Sequence, residues 1–393
     1  MIKSKSPWII CAAGTLLLFC TVGLSTSSFS VYQPYLISDI GLTNSQSSMF
    51  LTMRTLAGLG STLLFKKFIK ALGLRKGIIL ATLCTATAFL LLSFAKSFAG
   101  SCASAILLGL GYGFGGTVSI SIIIHRVFTE HMGLALSICV AGTGLSTMIC
   151  PPIFTWIIEK FSLRTSLITE AAFILLSLLW VGIILKKVPD NTDEQTASSN
   201  SILTRKANPR ILAGLIAMFF AGTIANTGWS HLSVLYRTAG FSPEQVALLI
   251  SMVGIFLTIG KLAYGASADK FGARTTFNVG NTLMIIGTAL CCFADKGSMV
   301  IAIVSMILLG FSMPISTVGP ALLGRTLSEH GNFDNTVRLL QITYMIGALC
   351  YSPIPGILAD KYGSYVPAFK ILIAFAFVSA ILIAYVYRGK DSH

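Results

Sequence analysis

Charged residues are scarce in this chain of 393 residues: Asp, Glu, Lys and Arg make up 11% of it, whereas hydrophobic residues make up 54%. Soluble globular domains carry about 25% charged residues. The mean hydropathy of the sequence is +0.81. This composition excludes an ordinary soluble protein and predicts an integral membrane protein.

Motifs of the common enzyme classes are missing as well. The sequence has no H-E-x-x-H, no Walker loop and no G-x-S-x-G, and no acidic pair lies within an apolar run. Its nine cysteines include no C-x-x-C pair, so they are interpreted as small packing residues. We therefore expect neither an enzyme nor a bound metal or cofactor.

Long apolar runs are what the sequence has instead. About twelve of them recur along the chain, each close to the ~20 residues with which a helix crosses a bilayer. They are continuously apolar rather than alternating, which excludes a β-barrel. The first run is too long for a signal peptide and lacks a cleavage site, so we expect it to remain as a membrane helix. The predicted fold class is an all-α membrane protein with twelve transmembrane helices.

The net charge of +14 reflects orientation in the membrane. If the N-terminus is cytoplasmic, most of the Lys and Arg residues fall in segments on the cytoplasmic side, as the positive-inside rule requires. Both termini are then cytoplasmic in a multi-pass protein of the cell membrane. The positive charge orients the helices in the lipid bilayer, and no nucleic-acid partner is expected. We expect a monomer.

One long polar segment divides the apolar runs into two groups of six. It reads PDNTDEQTASSNSILTRKANP and covers residues 189–209. The sequence thus predicts an N-terminal six-helix bundle over residues 1–188, a cytoplasmic linker over 189–209, and a C-terminal six-helix bundle over 210–393.

The two halves repeat each other. GLTNSQ at Gly41–Gln46 matches GFSPEQ at Gly240–Gln245, and RVFTEH from Arg126 matches RTLSEH from Arg325, both at an offset of 199 residues. Gly73 falls on Gly272 at the same offset. Parallel repeats of this kind are typical of transporters with two helical bundles and a substrate site near the middle of the membrane.

GASADKFGAR at Gly265–Arg274 resembles the loop signature of the major facilitator superfamily, and the likeness extends over essentially the whole chain. The first-half counterpart keeps Gly73 and has Lys70 where the signature has an acid. The resemblance implies two pseudo-symmetric bundles and alternating access. It also implies gating roles for the following residues: Gly265, Asp269, Arg274, Arg126 and Arg325.

A narrower resemblance is to the monocarboxylate and oxalate/formate antiporter branch. It is carried by HLSVLYRTAGFSPEQVALLISMVGIFLTIGKLAYGASADKFGAR from His231, by PIPGILADKYGSYVPAF from Pro353, and by GLGYGFGG. GYGFGG also matches G-x-G-x-x-G, but no βαβ unit surrounds it, so we expect close helix packing through its glycines.

Two cations lie within predicted membrane helices, where an ionisable side chain costs about 2.5–3.5 kcal/mol on insertion scales. Arg54 lies about eight residues inside its helix, and its guanidinium suits a bidentate carboxylate. The alternative is a fixed ion pair, for which Glu170 is the main acid available. Lys261 stands where the resembling branch carries a substrate-binding Arg. Its alternative role is snorkelling to the cytoplasmic face.

Further polar and aromatic residues are candidates for lining a substrate cavity, although packing or anchoring at the membrane interface is the alternative for each. They are Ser27, Tyr32, Gln33, Tyr112, Asn226, Trp229, His231 and Tyr344.

The sequence therefore predicts a secondary active transporter of small organic anions, monocarboxylates or short dicarboxylates, coupled to a proton or a counter-anion. Arg54 and Lys261 would neutralise the charge of the substrate. Two alternatives stay open: an efflux pump for amphipathic drugs or metabolites, and a non-transporting membrane sensor.

Overall fold

A computed structural model describes residues 7–128, 131–185, 208–328 and 333–388, without the side chains of residues 27, 28 and 334. Within these ranges all regular structure is helical and no strand occurs. Most of the polar linker predicted for residues 189–209 lies outside the described residues.

Ten helical stretches in the described ranges are long and apolar enough to cross a membrane. The predicted number was twelve, and that exact number stays a prediction. One stretch, Pro243–Cys291, covers 49 residues, but it bends sharply at Gly272, whose φ of 80° and ψ of 156° are not helical. The helix Asn44–Leu72 is not among the ten; it carries four cations, Arg54, Lys66, Lys67 and Lys70.

The chain divides into two compact units. The first comprises Met1–Leu42 and Met49–Ala197. Its first helix is α1, Pro7–Leu18, which continues through a π-helical segment, Phe19–Ser28, into α2, Phe29–Ile40. The remaining helices are α3 (Asn44–Leu72, in this unit from Met49), α4 (Leu74–Phe94), α5 (Phe98–Gly115), α6 (Thr117–Val127), α7 (Met132–Lys160) and α8 (Leu163–Leu185).

The second unit comprises Thr43–Ser48 and Ser198–His393. It begins with α9, Pro209–Gly222, followed by a second π-helical segment, Thr223–Gly228, and by α10, Leu232–Thr238. The remaining elements are α11 (Pro243–Cys291), a 3₁₀ turn (Ala294–Lys296), α12 (Met299–Ser312), a 3₁₀ turn (Met313–Ser316), α13 (Gly319–Leu327), α14 (Phe333–Tyr351), α15 (Ile354–Tyr362) and α16 (Val366–Val386).

The first turn of α3 is part of the second unit, and Asp360 at the end of α15 holds it there. The Asp360 carboxylate accepts hydrogen bonds from the backbone N–H and the amide of Asn44, at 3.0 and 2.8 Å, and from the N–H of Ser45 at 2.9 Å. It also accepts one from the Ser45 hydroxyl. The first backbone N–H groups of a helix have no acceptor within the helix, and the Asp360 carboxylate supplies one for those of Asn44 and Ser45.

The internal repeat extends to backbone conformation. Gly73 has φ 77° and ψ 158°, and its counterpart Gly272 inside α11 has φ 80° and ψ 156°. Gly41 and Gly240 also share a positive φ, 75° and 90°. These are conformations that residues with a Cβ avoid. Equivalent sharp bends therefore stand at equivalent places in the two halves.

The helix starts that follow Gly41 and Gly240 repeat as well. The side-chain oxygen of Gln46 accepts a hydrogen bond from the backbone N–H of Thr43 at 3.0 Å. The Thr43 hydroxyl in turn accepts one from the backbone N–H of Gln46 at 3.1 Å. Ser242 and Gln245 make the same reciprocal pair at 2.9 and 3.3 Å. Both are capping boxes, which fix where a helix begins.

The glycines of α5 allow this helix to approach its neighbours closely, as the sequence predicts. A Cβ at Gly109 would meet the backbone carbonyl of Arg54, and one at Gly113 would meet the side chain of Ser61, both on α3. Gly111 faces Thr85 on α4 in the same way. The glycines of α5 thus form a packing surface, and Gly109 packs against the backbone of Arg54.

Candidate functional site

The π-helical segment Phe19–Ser28 widens the first helix at mid-length. Its sequence, FCTVGLSTSS, is rich in residues that bond to their own backbone. Ser25 donates to the carbonyl of Thr21 at 2.8 Å, and Thr26 donates to that of Val22 at 2.8 Å. Wide turns of this kind occur frequently at functional sites. The second unit has its own π-helical segment at the corresponding place in its first helix.

Arg54 of α3 points toward this widened segment. Its side chain is only 5% exposed, and Nη1 donates a hydrogen bond to the carbonyl oxygen of Ser25 at 2.7 Å. No acidic residue in the described parts of the chain is bonded to Arg54, and its remaining N–H groups have no described hydrogen-bond acceptor. A fixed ion pair with Glu170 is the alternative raised by the sequence; the described hydrogen bond of Glu170 comes from Tyr32.

Aromatic side chains lie near the guanidinium. The ring of Phe29 lies 6.0 Å from Arg54 Cζ, and it stacks on Phe50 with the centroids 3.9 Å apart. Tyr112 of α5 is close enough to Arg54 for the two to interact electrostatically. Rings of this kind exclude water and stabilise a cation through their π faces. The groups described near the guanidinium are thus the Ser25 carbonyl and aromatic side chains.

Gln33 lies one helical turn after Phe29 on the same face of α2. It is fully buried, yet neither its amide nitrogen nor its amide oxygen has a described hydrogen-bond partner. Leaving buried polar atoms unsatisfied costs about 1–3 kcal/mol. An unsatisfied buried group of this kind needs an explanation, such as an ordered water or a functional role, so Gln33 stays a candidate binding residue.

The other candidates of the first unit have different surroundings. Tyr32 is fully buried, and its hydroxyl donates to Glu170 at 2.7 Å and bonds Ser166 at 2.9 Å. The backbone of Ser27 belongs to the π-helical segment, but its side chain lies outside the described residues.

Lys261 lies on α11 in the second unit and is partly buried. One turn further, Tyr264 is 6% exposed and its hydroxyl has no described partner. The same is true of the amide oxygen of Asn281, later in α11. Neither residue is among those predicted from the sequence, because a single Tyr or Asn in an apolar run reads as packing.

His231, Trp229, Asn226 and Tyr344 are distributed over α9–α10 and α14. His231 is fully buried and bonds the Thr227 carbonyl through Nδ1 at 2.8 Å and the Ser48 hydroxyl through Nε2 at 2.9 Å, so both ring nitrogens are occupied. Trp229 and Tyr344 are each 7% exposed. Asn226 lies in the second π-helical segment and is partly exposed.

The predicted gating residues lie near helix ends and bends. Asp269 and Arg274 are exposed on either side of the sharp bend at Gly272, and Gly265 is on the preceding turns of α11. Arg126 and Arg325 lie in the last turns of α6 and α13. Their gating roles remain predictions.

Exposed apolar side chains cover the outer faces of both units, for example Leu179 at 67%, Leu262 at 69% and Val300 at 71%. Together with the ten long apolar helices, they define a multi-pass membrane protein built from a duplicated helical unit.

Comparison with known proteins identifies the family. The profile of the Major Facilitator Superfamily matches residues 15–256 and 214–393. The chain belongs to this superfamily of membrane transporters, and the resemblance in its loop motifs is confirmed.

Among its relatives are monocarboxylate transporters and a purine ribonucleoside efflux pump. Monocarboxylate transporter 13 of Rattus norvegicus is 26% identical over 77% of this chain and 71% of its own length. Monocarboxylate transporter 12 of Mus musculus is 26% identical over 96% of this chain and 85% of its own length. The purine ribonucleoside efflux pump NepI of Salmonella paratyphi B (strain ATCC BAA-1250 / SPB7) is 23% identical over 89% of this chain and 87% of its own length.

Solved structures share the fold. The nucleoside transporter NupG has a TM-score of 0.76 at 13% identity and covers 96% of this chain and 99% of its own. The D-xylose-proton symporter has a TM-score of 0.77 at 14% identity, covering 97% of this chain and 96% of its own.

Proposed function

We propose that the protein is a secondary transporter of small organic anions, monocarboxylates or short dicarboxylates, and that Arg54 binds the carboxylate of the substrate. The observation that carries this proposal is a buried guanidinium whose described hydrogen bond goes to a backbone carbonyl and to no acid. An isolated charge inside a membrane helix is costly, so its retention supports a role in binding or in a transport pathway.

The chemistry of Arg54 selects a carboxylate over other ligands. A guanidinium offers five N–H donors in a planar fork, and two of them can hold both oxygens of a carboxylate at once. Such charge-assisted bonds are about twice as strong as neutral ones, and a surrounding of apolar rings strengthens them further. The bound anion would also neutralise the cation within the membrane.

Gln33 would complete the recognition of the substrate. Its unsatisfied amide supplies one acceptor and two donors, which suit a hydroxyl or carbonyl beside the carboxylate. The aromatic pair Phe29 and Phe50 would pack against the carbon skeleton. Lys261 in the second unit would supply a second cation. Alternating access would then carry the neutralised substrate across the membrane, with a proton or a counter-anion balancing its charge.

The names of relatives support this substrate class. Two of those reported above are monocarboxylate transporters, and one of them aligns along nearly all of this chain. The charge of the pocket and the names of these relatives therefore agree.

A second candidate is efflux of a neutral metabolite such as a purine ribonucleoside. It is favoured by the relative NepI, which aligns over 89% of this chain. The aromatic rings near Arg54 could stack on a purine base. This function would make little use of a buried cation, so the response to removing Arg54 separates the two candidates.

The test is uptake into proteoliposomes that contain the purified full-length protein. Labelled lactate, formate, oxalate and adenosine are offered in parallel. We expect at least one of the three carboxylates to be transported, and Arg54→Ala to lower that rate about 10- to 100-fold, because a charged hydrogen bond is worth about 1.5–3 kcal/mol.

Arg164→Ala is the matched control. Arg164 is an exposed arginine in the same unit, with its guanidinium carbon 4.4 Å from the centre of the Phe94 ring. Its loss should leave carboxylate uptake unchanged. Transport of adenosine alone, unaffected by Arg54→Ala, would favour the second candidate and contradict the first.

A further inference from the structure

A second polar cluster lies inside the first unit. It consists of Glu170 and Ser166 on α8 and Tyr32 on α2, and all three side chains are fully buried. Glu170 lies seven residues after Leu163, where α8 begins, which places it about 10 Å along the helix. It is therefore well within the helix that carries it.

This carboxyl is fully buried, and the groups described beside it are uncharged. Tyr32 donates to Glu170 Oε2 at 2.7 Å, and the rings of Phe89 and Phe154 lie 6.4 and 6.2 Å from the Tyr32 ring. The titratable side chains that interact with Glu170 include Tyr32, Cys20 of the π-helical segment and Cys150 of α7. An ionised carboxylate is costly in such surroundings, and taking up a proton removes that cost.

The hydrogen bonds of the cluster suit both states of the carboxyl. In the ionised state Ser166 donates to Tyr32, and Tyr32 donates to Glu170, over 2.9 and 2.7 Å. In the protonated state the direction of these hydrogen bonds can reverse, because Ser166 can then donate to another acceptor, the Phe154 carbonyl, at 3.4 Å. Glu170 then donates to Tyr32, and Tyr32 donates to Ser166. Each group therefore keeps a hydrogen bond in both states, but the bond between Tyr32 and Glu170 changes from a charge-assisted to a weaker neutral one when the proton binds.

The cluster is mechanically connected to the candidate substrate site. Ser25, whose carbonyl binds Arg54, and Tyr32, whose hydroxyl binds Glu170, are seven residues apart in one continuous helical stretch. Phe29, which faces Arg54, lies between them. A change in the bond between Tyr32 and Glu170 therefore acts on the helix that also contacts Arg54.

We propose that Glu170 is a proton-binding site, and that the proton it binds is the one that couples to substrate transport. The carboxylate takes one proton from water to become a carboxylic acid and later returns it to water. The coupling role rests on the proposed transport of organic anions, whereas proton binding at Glu170 does not.

Proton binding is tested without any substrate. Infrared difference spectra of the purified protein are recorded across a pH titration, and the carbonyl stretching band of protonated carboxyl groups is followed. We expect Glu170→Gln to remove a titrating component of this band. Glu159→Gln is the matched control. Glu159 is exposed and accepts a hydrogen bond from the Tyr35 hydroxyl at 2.6 Å, so it forms the same kind of Tyr–Glu pair without burial.

Tyr32→Phe keeps the ring and removes the hydroxyl. It should move the midpoint of the Glu170 component to a higher pH, because the ionised form loses a charge-assisted hydrogen bond. A band that titrates identically in wild type, Glu170→Gln and Tyr32→Phe would overturn the proposal.

Coupling is tested with labelled lactate, formate and oxalate in proteoliposomes under an imposed pH gradient. With one proton per substrate, accumulation should rise about tenfold for each pH unit. Glu170→Gln should abolish this dependence while retaining exchange of internal for external substrate, and Glu159→Gln should behave as wild type. A pH gradient that still drives Glu170→Gln would overturn the coupling role. Failure of the wild type to move any of the three contradicts the proposed function, while the infrared result still decides whether Glu170 binds a proton.

Discussion

Gln33 and Gln46 show that the same residue type can serve binding at one position and folding at another. Gln46 closes a capping box, so its amide oxygen is used by the fold. Gln33 is fully buried with both amide atoms unsatisfied among the described residues. Only for Gln33 does the fold leave hydrogen-bonding capacity that a ligand could use.

Replacing each glutamine by methionine, which has a similar shape, should therefore have opposite effects on stability. Gln33→Met should raise the free energy of unfolding by about 1–2 kcal/mol, because two unsatisfied polar atoms leave the core. It should also weaken carboxylate transport. Gln46→Met should lower stability by about 0.5–1 kcal/mol through loss of the cap. Thermal melting and proteoliposome uptake measure the two properties. A Gln33→Met protein that is less stable and transports normally would contradict the assignment.

Arg54 and Glu170 also show where prediction from sequence ends at this scale. Arg54 could be singled out because a cation within an apolar run is conspicuous by composition alone. The pairing of Tyr32 with Glu170 could not, because these residues are 138 positions apart and meet only through the packing of α2 on α8. The sequence suggested Glu170 as an acid that could pair with Arg54, whereas in the structure Glu170 accepts a hydrogen bond from Tyr32.

At the scale of elements, the repeat was the part that the sequence predicted best, through short matches such as GLTNSQ and GFSPEQ. The structure adds that these matches begin with glycine bends and form capping boxes. The π-helical segments Phe19–Ser28 and Thr223–Gly228 were not predicted. A wide turn leaves the apolar pattern of a membrane helix unchanged and gives no signal in the sequence.

The paired bends give an element-scale prediction. Gly73→Ala and Gly272→Ala should each lower the free energy of unfolding by about 1–3 kcal/mol, because a Cβ strains a backbone with φ of 77° or 80°. Gly182→Ala is the control, since nothing lies within 4 Å of a Cβ placed there and the site is inside α8. It should be neutral or slightly stabilising in a thermal melt. Equal melting temperatures for all three variants would contradict the prediction that the positive φ at Gly73 and Gly272 requires glycine.

At the scale of the whole molecule, the proposed orientation places both termini in the cytoplasm. Alkaline phosphatase fused after Gly73, between α3 and α4, should then be inactive, and a fusion after Lys96, between α4 and α5, should be active. Activity is measured in intact bacterial cells, with immunoblots to normalise the amount of each fusion. The reverse pattern would invert the orientation inferred from the distribution of lysine and arginine.

The central claim is that Arg54 holds the carboxylate of the substrate. Thermal melting of the purified full-length protein with and without lactate, formate or oxalate tests it most directly, because a ligand that binds only the folded state raises the melting temperature. At least one carboxylate should stabilise the wild type and Arg164→Ala equally, and none should stabilise Arg54→Ala. Stabilisation of Arg54→Ala by the same anion, at the same concentration and to the same extent, would contradict the account.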